Sequence, residues 1–381
     1  MLYTRRDFGK IALATIPAAS IPMARLMAAG KPNSTFGGVQ IGIITYSFRS
    51  LPSSAEEVLK YCLDCGIDGV ELMSNVAESY AGAPAQQGRG GFPGGPGPGG
   101  TQGRPPGGTQ GPPPGGTQGP PPGGMSGQPP QGGAPGQPPS GGAQGGGRGR
   151  APLTPEQQEA MRKRAEEMKK WRLSVSMDKY KAFRKMYEDA GVKIYAFKLP
   201  PTLEMSDEEY AYIWNVAETL GANHVTMELP TDDALLKRVA EYAAKRKLRI
   251  AFHTHGQGGA SGFDKVLSAS PYTALNFDVG HYYGVNGESP VPLVEKYHDR
   301  IASLHLKDRK GPGTPDPSGR GGGPNMPWGQ GETPLKDVLQ SMRKNKYKFP
   351  ASIEYEYQTP EGSDVLTEVK KCVEYCKKAL A

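Results

Sequence analysis

The 381-residue chain holds 45 lysines and arginines against 38 aspartates and glutamates, a formal net charge of +7 at pH 7. The excess is concentrated in two segments: residues 1–30 hold four basic residues and one acid, and residues 82–151 hold four arginines and no acid. The rest of the chain is therefore close to neutral, which argues against the concentrated basic face that a nucleic-acid partner requires. After residue 30 no apolar run approaches the ~18 residues of a membrane span, so no membrane partner is expected.

The N-terminal sequence TRRDFGK places Arg5 and Arg6 before a moderately apolar run that extends to about Met27. This pattern is typical of a twin-arginine export signal, which is removed from the mature protein. We therefore assign residues 1–30 to a signal peptide and expect a periplasmic or secreted protein. The alternative is a basic N-terminal helix. No cysteine follows the apolar run, which argues against a lipoprotein anchor.

Residues 82–151 are dominated by glycine, proline and glutamine, and GGTQG recurs at 99–103, 107–111 and 115–119. Such a segment buries too little apolar surface to offset the entropy of ordering it, so we predict a disordered insertion. A collagen helix is excluded because the period is eight residues instead of three. A spacer is the favoured role, and an interaction segment is the alternative.

Outside the insertion, short runs rich in β-branched and aromatic residues alternate with amphipathic helical stretches. These runs are VQIGIITY (39–46), GVELM (69–73), KIYAFKL (193–199), HVTMEL (224–229), RIAFH (249–253), ALNFDV (274–279), IASLHLK (301–307) and ASIEYEY (351–357). Eight strand–helix units in about 250 residues are what a (β/α)8 TIM barrel requires. We assign the barrel to residues 38–81 and 152–381. A doubly wound sheet is disfavoured because no glycine-rich phosphate loop follows the first strand.

Local signals agree with this alternation. Capping boxes that begin at Ser54, Thr154 and Ser206 predict helix starts, and Gly66 and Gly191 predict helix ends just before strands. The insertion then follows the second predicted strand, and a second long loop, residues 311–332, follows the seventh. Both lie at the face where the active sites of such barrels are found.

Four cysteines fall in two pairs, Cys62 with Cys65 in the first helix and Cys372 with Cys376 in the last. These helices are neighbours in a closed barrel. We favour buried thiols that pack as small apolar groups. An exported protein also permits disulfides, and a zinc site is the third alternative.

The carboxyl ends of the eight predicted strands carry ionisable or aromatic side chains. They are Tyr46, Glu71, Lys198, Glu228, His253, His255, Asp278, His281, His305, Lys307, Glu354 and Glu356. A barrel brings these ends together on one face, and converged charges are costly unless something neutralises them. Asp, His and Glu from different strands predict one divalent metal ion, and Mn²⁺, Zn²⁺, Co²⁺ or Fe²⁺ suits this mixture.

Strand periodicity separates deeper residues from outer ones, because side chains two positions apart share a face. The relevant pairs are His253 with His255, His305 with Lys307, and Glu354 with Glu356. We expect the first member of each pair to lie deeper and to suit a metal ligand, and the second to suit a substrate contact.

In combination, the segments GVEL, FHTH, FDVGH, LHLKD, WGQGE and SIEYE resemble the xylose isomerase-like TIM barrels, the sugar phosphate isomerase/epimerase superfamily. The resemblance extends over residues 38–380 apart from the insertion. It implies one divalent metal held by residues of the fifth to eighth barrel strands, and Asp278, His305 and Glu354 match three of the four ligands. His253 stands where relatives carry a glutamate and becomes the fourth predicted ligand.

The resemblance also implies roles around the metal. Glu354, His253 and Glu228 are the predicted catalytic residues. The predicted substrate contacts are Glu71, His255, His281, Lys307, Tyr46 and Lys198, with Glu71 and His255 lining the mouth of the site.

The expected reaction is isomerisation or epimerisation of a non-phosphorylated carbohydrate, beginning with removal of a proton next to a carbonyl. Because His253 replaces one carboxylate of the usual acid–base pair, β-elimination by a lyase or dehydratase on a keto-sugar or keto-glycoside is the alternative. An exported sugar-binding barrel without catalysis is the non-enzymatic alternative. A nuclease with several metals would need more histidines and a basic groove. A homo-oligomer is compatible with the sequence.

Overall fold

The computed structural model describes residues 31–84, 154–256, 259–316 and 322–381. The predicted export signal and nearly all of the predicted insertion lie outside these ranges, so both stay predictions. Within the described residues, no helix is both long and apolar enough to cross a membrane.

Eight parallel strands close into a barrel with helices around it, which confirms the predicted (β/α)8 TIM barrel. The strands are β1 Thr35–Phe36, β2 Val39–Ile44, β3 Gly69–Met73, β4 Lys193–Lys198, β5 His224–Glu228, β6 Arg249–His253, β7 Thr273–Asp278, β8 Ile301–Leu306 and β9 Ala351–Ile353. The barrel consists of β2 to β9, and β2 pairs with β9 to close it. The short β1 pairs antiparallel to β2 outside the barrel.

The helices lie between the strands. They are α1 Ala55–Asp64, α2 Ser74–Tyr80, α3 Pro155–Ser174, α4 Met177–Asp189, α5 Asp207–Leu220, α6 Asp233–Arg246, α7 Ala260–Ser268, α8 Val279–Asn286, α9 Val291–Lys296, α10 Leu335–Asn345 and α11 Val365–Ala379. The predicted helix starts at Ser54 and Thr154 are capping boxes in the structure. Gly66 and Gly191 adopt φ angles of 72° and 84°, the left-handed conformation that ends a helix at little cost for glycine.

The largest differences from the sequence expectation concern one helix and one strand. Helix α2 was not predicted, because its seven residues are too few to display a helical period; it directly follows β3. Strand β9 ends at Ile353, four residues earlier than predicted, so Glu354 and Glu356 lie beyond the strand instead of within it. A three-residue strand suffices here because both neighbours, β2 and β8, supply its pairing.

Alternation along the strands divides an apolar layer from a polar lumen. In β7, Leu275 and Phe277 are buried in the main hydrophobic core, and the Phe277 ring lies 5.2 Å from that of Phe263 on α7. Asn276 and Asp278, on the other face of β7, are also fully buried but contact polar partners. The barrel therefore has an apolar outside that packs on helices and a polar inside that leads to the site.

A buried ion pair joins the helices on either side of the undescribed segment 85–153. Arg172 on α3 donates to both carboxylate oxygens of Glu78 on α2, at 2.7 and 3.1 Å. Tyr212 on α5 donates to the same carboxylate at 3.0 Å. Bidentate arginine–carboxylate pairs are among the stronger charged contacts, so this cluster fixes α2 and α3 against the barrel.

All four cysteines are buried free thiols, in agreement with the favoured interpretation. Cys65 Sγ lies 3.9 Å from the carbonyl oxygen of Leu366, so α1 contacts the last helix, α11, as a closed barrel requires. Burial raises the pKa of the Cys65 thiol to about 12, which disfavours the reactive thiolate.

We predict that Gly42→Ala destabilises the barrel by about 1–3 kcal/mol, the usual cost of overpacking. A Cβ at position 42 would lie 2.5 Å from Tyr195 Oη and 2.6 Å from Tyr195 Cε1, and the tyrosine is held in place by Ser352. The measurement is the free energy of unfolding by urea titration. Gly262→Ala on α7 is the control, because its Cβ meets nothing within 4 Å and alanine favours the helix. Equal stability of the two variants would contradict this account of the lumen.

Candidate active site

The structure brings the four predicted metal ligands together. His253 ends β6, Asp278 ends β7, His305 lies in β8, and Glu354 follows β9. One ligand atom from each lies within 4.8 Å of the others, and all four residues are buried. They converge because neighbouring parallel strands align in register, as when Asp278 pairs with His305.

The neighbours of His253 fix which nitrogen faces this cluster. Asn276 Nδ2 donates to Glu71 Oε2 at 2.9 Å and to Ser303 Oγ at 2.7 Å, so its amide oxygen faces His253 Nδ1 at 2.9 Å. The Nδ1–H therefore donates, and Nε2 keeps a lone pair on the side of Asp278 Oδ2, 3.9 Å away. Burial, reinforced by the charge of Lys198, lowers the pKa of His253 well below its usual range. A neutral imidazole is the form that binds a metal.

His305 lies between two carboxylates. Its Nε2 is 2.7 Å from Glu71 Oε2 and its Nδ1 is 2.6 Å from Glu354 Oε2. Burial alone would lower the pKa of His305, but the two carboxylates raise it to about 10. A metal ion at the cluster would replace the Nδ1 proton, while Nε2 still donates to Glu71, the arrangement in which a carboxylate orients a metal-binding histidine.

Glu71 was predicted to line the mouth, and the structure corrects that position. Its side chain is fully buried below the cluster and contacts His305, Asn276 and Thr226 Oγ1, the last at 2.7 Å. Burial would raise the pKa of Glu71, but the His305 imidazolium lowers it to about 2. Glu71 is thus placed to orient His305 and Asn276, and its role as a substrate contact stays a prediction.

Lys307 supplies the positive charge between the carboxylates. Its Nζ lies 3.0 Å from Asp278 Oδ2, 3.0 Å from Glu354 Oε2 and 2.8 Å from Glu356 Oε2. Burial would lower the pKa of Lys307, but these carboxylates raise it, so the ammonium stays charged. Burial likewise works against ionisation of Glu354, but Lys307 and His305 hold the pKa of that carboxyl well below its usual range.

These residues fit a divalent metal ion. Two imidazoles and two carboxylates form a mixed nitrogen and oxygen donor set that suits Mn²⁺, Zn²⁺, Co²⁺ or Fe²⁺. The buried Asp278 Oδ2 faces this cluster, with Lys307 Nζ at 3.0 Å and His253 Nε2 at 3.9 Å. His253 also groups with His255 and His281, but the Arg309 guanidinium lies 2.6 Å from His281 and disfavours a second cation there.

Glu228 and His255 lie at the outer edge of the site, called the rim below. His255 Nε2 lies 3.1 Å from Glu228 Oε2, and the histidine side chain is 50% exposed. Lys198 Nζ donates to Glu228 Oε1 at 2.8 Å. Burial would raise the pKa of Glu228, but Lys198 and His255 lower it, so the carboxylate stays ionised. The deeper and outer positions predicted for His253 and His255 agree with this placement.

His281 and Tyr46 complete the predicted set. The His281 ring centroid lies 4.8 Å from that of His255. Burial, with the charge of Lys307, lowers the pKa of His281 well below its usual range. Tyr46 lies in the short 3-10 helix Thr45–Phe48 after β2, with the Arg49 guanidinium 4.5 Å above its ring. Its role as a substrate contact stays a prediction.

Three residues of the site were not identified from the sequence. Asn276 shares a face with Asp278, so the period of two in β7 was a signal for it. Asp308 and Arg309 follow Lys307 directly, and both are buried. Their partners lie more than ten residues away along the chain, in the loop before α10 and, for Arg309, also at His281 on α8. No local pattern shows such contacts.

The fold and the site define a (β/α)8 barrel with a mixed imidazole–carboxylate centre at its carboxyl-terminal face. A family model described as "Xylose isomerase-like TIM barrel" matches residues 234–377. This match covers the C-terminal part of the chain and agrees with the resemblance read from the sequence.

Individual similarities are more local. An inosose dehydratase of Clostridium botulinum (strain Eklund 17B / Type B) is 36% identical over 78 residues, 19% of this chain and 26% of the relative. One from Clostridium beijerinckii is 32% identical over the same length and shares. The chain thus matches about a quarter of the length of these relatives. Among solved structures, the probable 3-DHS dehydratase AsbF of Bacillus anthracis is 12% identical, with a TM-score of 0.49 over 88% of this chain and 97% of that chain.

We predict that Glu71→Gln lowers the affinity of the site for Zn²⁺ or Mn²⁺ by about 10–100-fold, the usual effect of removing a supporting carboxylate. The amide no longer holds His305 through a charged hydrogen bond. Affinity is measured by competition with a chelator. The control is Glu374→Gln, a half-exposed carboxylate on α11. Unchanged metal affinity in Glu71→Gln would show that the carboxylate does not support the site.

Proposed function

We propose that the chain is a metal-dependent lyase that removes a proton next to the carbonyl of a non-phosphorylated keto-sugar or keto-cyclitol and then eliminates water. The observation that carries this proposal concerns Glu354 and His253. They stand where the resemblance implies two carboxylates, but they differ in chemical type and in charge. Lys307 and His305 hold Glu354 ionised against its burial, whereas burial and the charge of Lys198 hold His253 neutral. Neither is poised to donate a proton near neutral pH, so the ligand set lacks a matched acid and base on opposite faces.

Proton transfer then falls to the Glu228–His255 pair at the rim. Glu228 Oε2 lies 3.1 Å from His255 Nε2 and orients the imidazole, as a carboxylate does for a catalytic histidine. His255 is half exposed and therefore accessible to substrate. It takes the proton from carbon and returns that proton to the departing hydroxyl, so the carbon–oxygen bond breaks and water leaves.

The metal ion would be held by His253, Asp278, His305 and Glu354, and when bound it polarises the substrate carbonyl and makes the neighbouring proton more acidic. The chain orients these ligands through Glu71 and Asn276, and Lys307 offsets the carboxylate charge. These roles require no movement of the barrel strands.

The charges of the rim favour an uncharged substrate. Lys198 binds Glu228, and Lys307 binds three carboxylates, so both ammonium groups are committed to the protein. A phosphate group would have to compete for them. Hydroxyl and carbonyl oxygens accept hydrogen bonds from such groups without separating the ion pairs. Export by a twin-arginine signal, which we also propose, would place the enzyme where phosphorylated sugars are scarce.

The similarity to inosose dehydratases supports elimination as the outcome. Inosose is a cyclic polyhydroxy ketone, the substrate class proposed here. Because the matched segment is 78 residues long and covers 26% of the relative, the activity is a proposal for this chain.

A second candidate is the isomerase or epimerase. One observation favours it: Glu228 ends β5 and Glu356 follows β9, four strands apart in an eight-stranded barrel, so the two carboxylates lie on opposite sides of the mouth. A substrate between them could lose a proton to one side and regain it from the other. Glu356 Oε2 lies 2.8 Å from Lys307 Nζ, so this carboxylate is already paired within the protein, and elimination stays the first candidate.

The test is incubation of metal-loaded protein in deuterated water with an inosose, with 3-keto-glucose and with free ketohexoses. We expect deuterium at the carbon next to the carbonyl and a product lighter by one water, detected by NMR and mass spectrometry. A deuterated epimer or isomer without loss of water would establish the second candidate instead. Absence of exchange and of product with every compound would favour the sugar-binding alternative.

We further predict that His255→Asn and Glu228→Gln each lower kcat by about 10²–10⁴-fold, the usual range for a lost proton-transfer group. Both variants should keep one bound metal ion by elemental analysis, since neither residue belongs to the four-ligand set. Glu374→Gln again serves as the surface control. Near-normal kcat in His255→Asn would remove it from the mechanism.

A further inference from the structure

Arg309 is a buried charged residue that the proposed reaction does not use. Its side chain is 2% exposed, and Nη1 lies 2.6 Å from His281 Nδ1. The guanidinium also donates from Nε to the carbonyl oxygen of Gly323 at 2.8 Å. Taking a permanent charge out of water is costly unless it is paired or hydrogen-bonded, so these contacts define the role of the residue.

The hydrogen bond between Arg309 and His281 has only one possible direction. A guanidinium has five N–H donors and no acceptor, so His281 Nδ1 accepts. A neutral imidazole that accepts at Nδ1 carries its proton on Nε2. That nitrogen lies on the site side of the ring, 3.9 Å from Glu356 Oε2, and the ring neighbours His255. His281 therefore presents an N–H donor to the mouth of the site.

Backbone hydrogen bonds and close packing also hold Arg309 in place. Its backbone N–H donates to Thr333 Oγ1 at 3.0 Å, and its carbonyl oxygen accepts from Glu332 N–H at 2.8 Å. Gly284 on α8 leaves room for the side chain, because a Cβ there would lie 3.0 Å from Arg309 Nε. The arginine thus links the loop 322–333 to the helix that carries His281.

We propose that Arg309 is a positioning residue that locks His281 in the tautomer with a proton on Nε2, so that His281 donates to an oxygen of the substrate. Donation from His281 to a substrate oxygen rests on the proposed function, whereas the tautomer rests only on the contacts of Arg309. The Nε2–H of His281 favours a hydroxyl or carbonyl oxygen at this position and disfavours an ammonium group, which can only donate.

The first test is the long-range ¹H–¹⁵N spectrum of the histidine side chains in the metal-loaded protein, with His281 assigned by His281→Gln. We expect a single Nε2–H tautomer in the native chain and loss of that single state in Arg309→Met. Arg309→Lys, which still offers one donor, should restore it in part. Lys310→Met is the matched control, because it removes the neighbouring charge without touching His281.

Retention of the Nε2–H tautomer in Arg309→Met would overturn the proposal. If that variant does not fold, Gly284→Ala provides the second test, because its Cβ displaces the guanidinium without removing it. The same change in the His281 spectrum is expected there, and an unchanged spectrum would count against the proposal.

The second test measures KM and kcat with an inosose. Loss of one hydrogen bond from a neutral donor predicts a KM about tenfold higher in Arg309→Met, with kcat much less affected. A changed tautomer with unchanged KM would show that His281 does not donate to the substrate. If the native protein turns over no inosose or keto-sugar, the proposed function fails, whereas the spectrum still decides the role of Arg309.

Discussion

The site depends on the neutralisation of buried charge. Asp278, Glu354 and Glu71 are carboxylates inside a barrel from which water is largely excluded, and isolated charges there would cost several kcal/mol each. Lys307 and His305 offset them through contacts of 2.6–3.0 Å. Each cation touches at least two carboxylates. The ligands are therefore held in place by their own ion pairs, and a substitution that removes one partner leaves the remaining charges uncompensated.

The need to satisfy buried charge also explains the role of the loop after β8, which pairs with the carboxylate of Asp308. Asp308 Oδ2 accepts from Gly329 N–H at 2.8 Å and from Gly331 N–H at 2.9 Å. A Cβ at Gly331 would lie 2.0 Å from the Asp308 carboxylate, so only glycine lets the backbone approach this closely. Two adjacent residues, Asp308 and Arg309, thus tie one loop to the barrel and to His281. Motifs that appear separate in the sequence form one connected structure.

The sequence predicted those features that depend on where strands end and on the two-residue period of a strand. The barrel followed from eight alternating units, and His253, Asp278, His305 and Glu354 followed from adjacent strand ends. Glu71 was misplaced because it lies two residues before the end of β3 and therefore deeper in the barrel than residues at the strand ends. The pairing of β3 with β4 also shifts register between Val70 and Glu71. Such an irregularity re-aims a side chain, and no local pattern announces it. Arg309 was missed for a different reason, since its partners lie far along the chain and the contact depends on how a loop folds back.

The cluster of Glu78, Arg172 and Tyr212 has a consequence for how the length of this chain can change during evolution. It joins α2 to α3 directly, so the barrel does not depend on the chain between residues 84 and 154 to hold those helices together. The entropy of closing a loop grows only with the logarithm of its length, about 0.6 kcal/mol for each doubling. For a segment that the sequence predicts to be disordered, we therefore expect expansion or contraction of the eight-residue repeat to change the stability of the barrel little. Replication slippage in its codons could alter the length of this segment many times while the metal ligands remain in register.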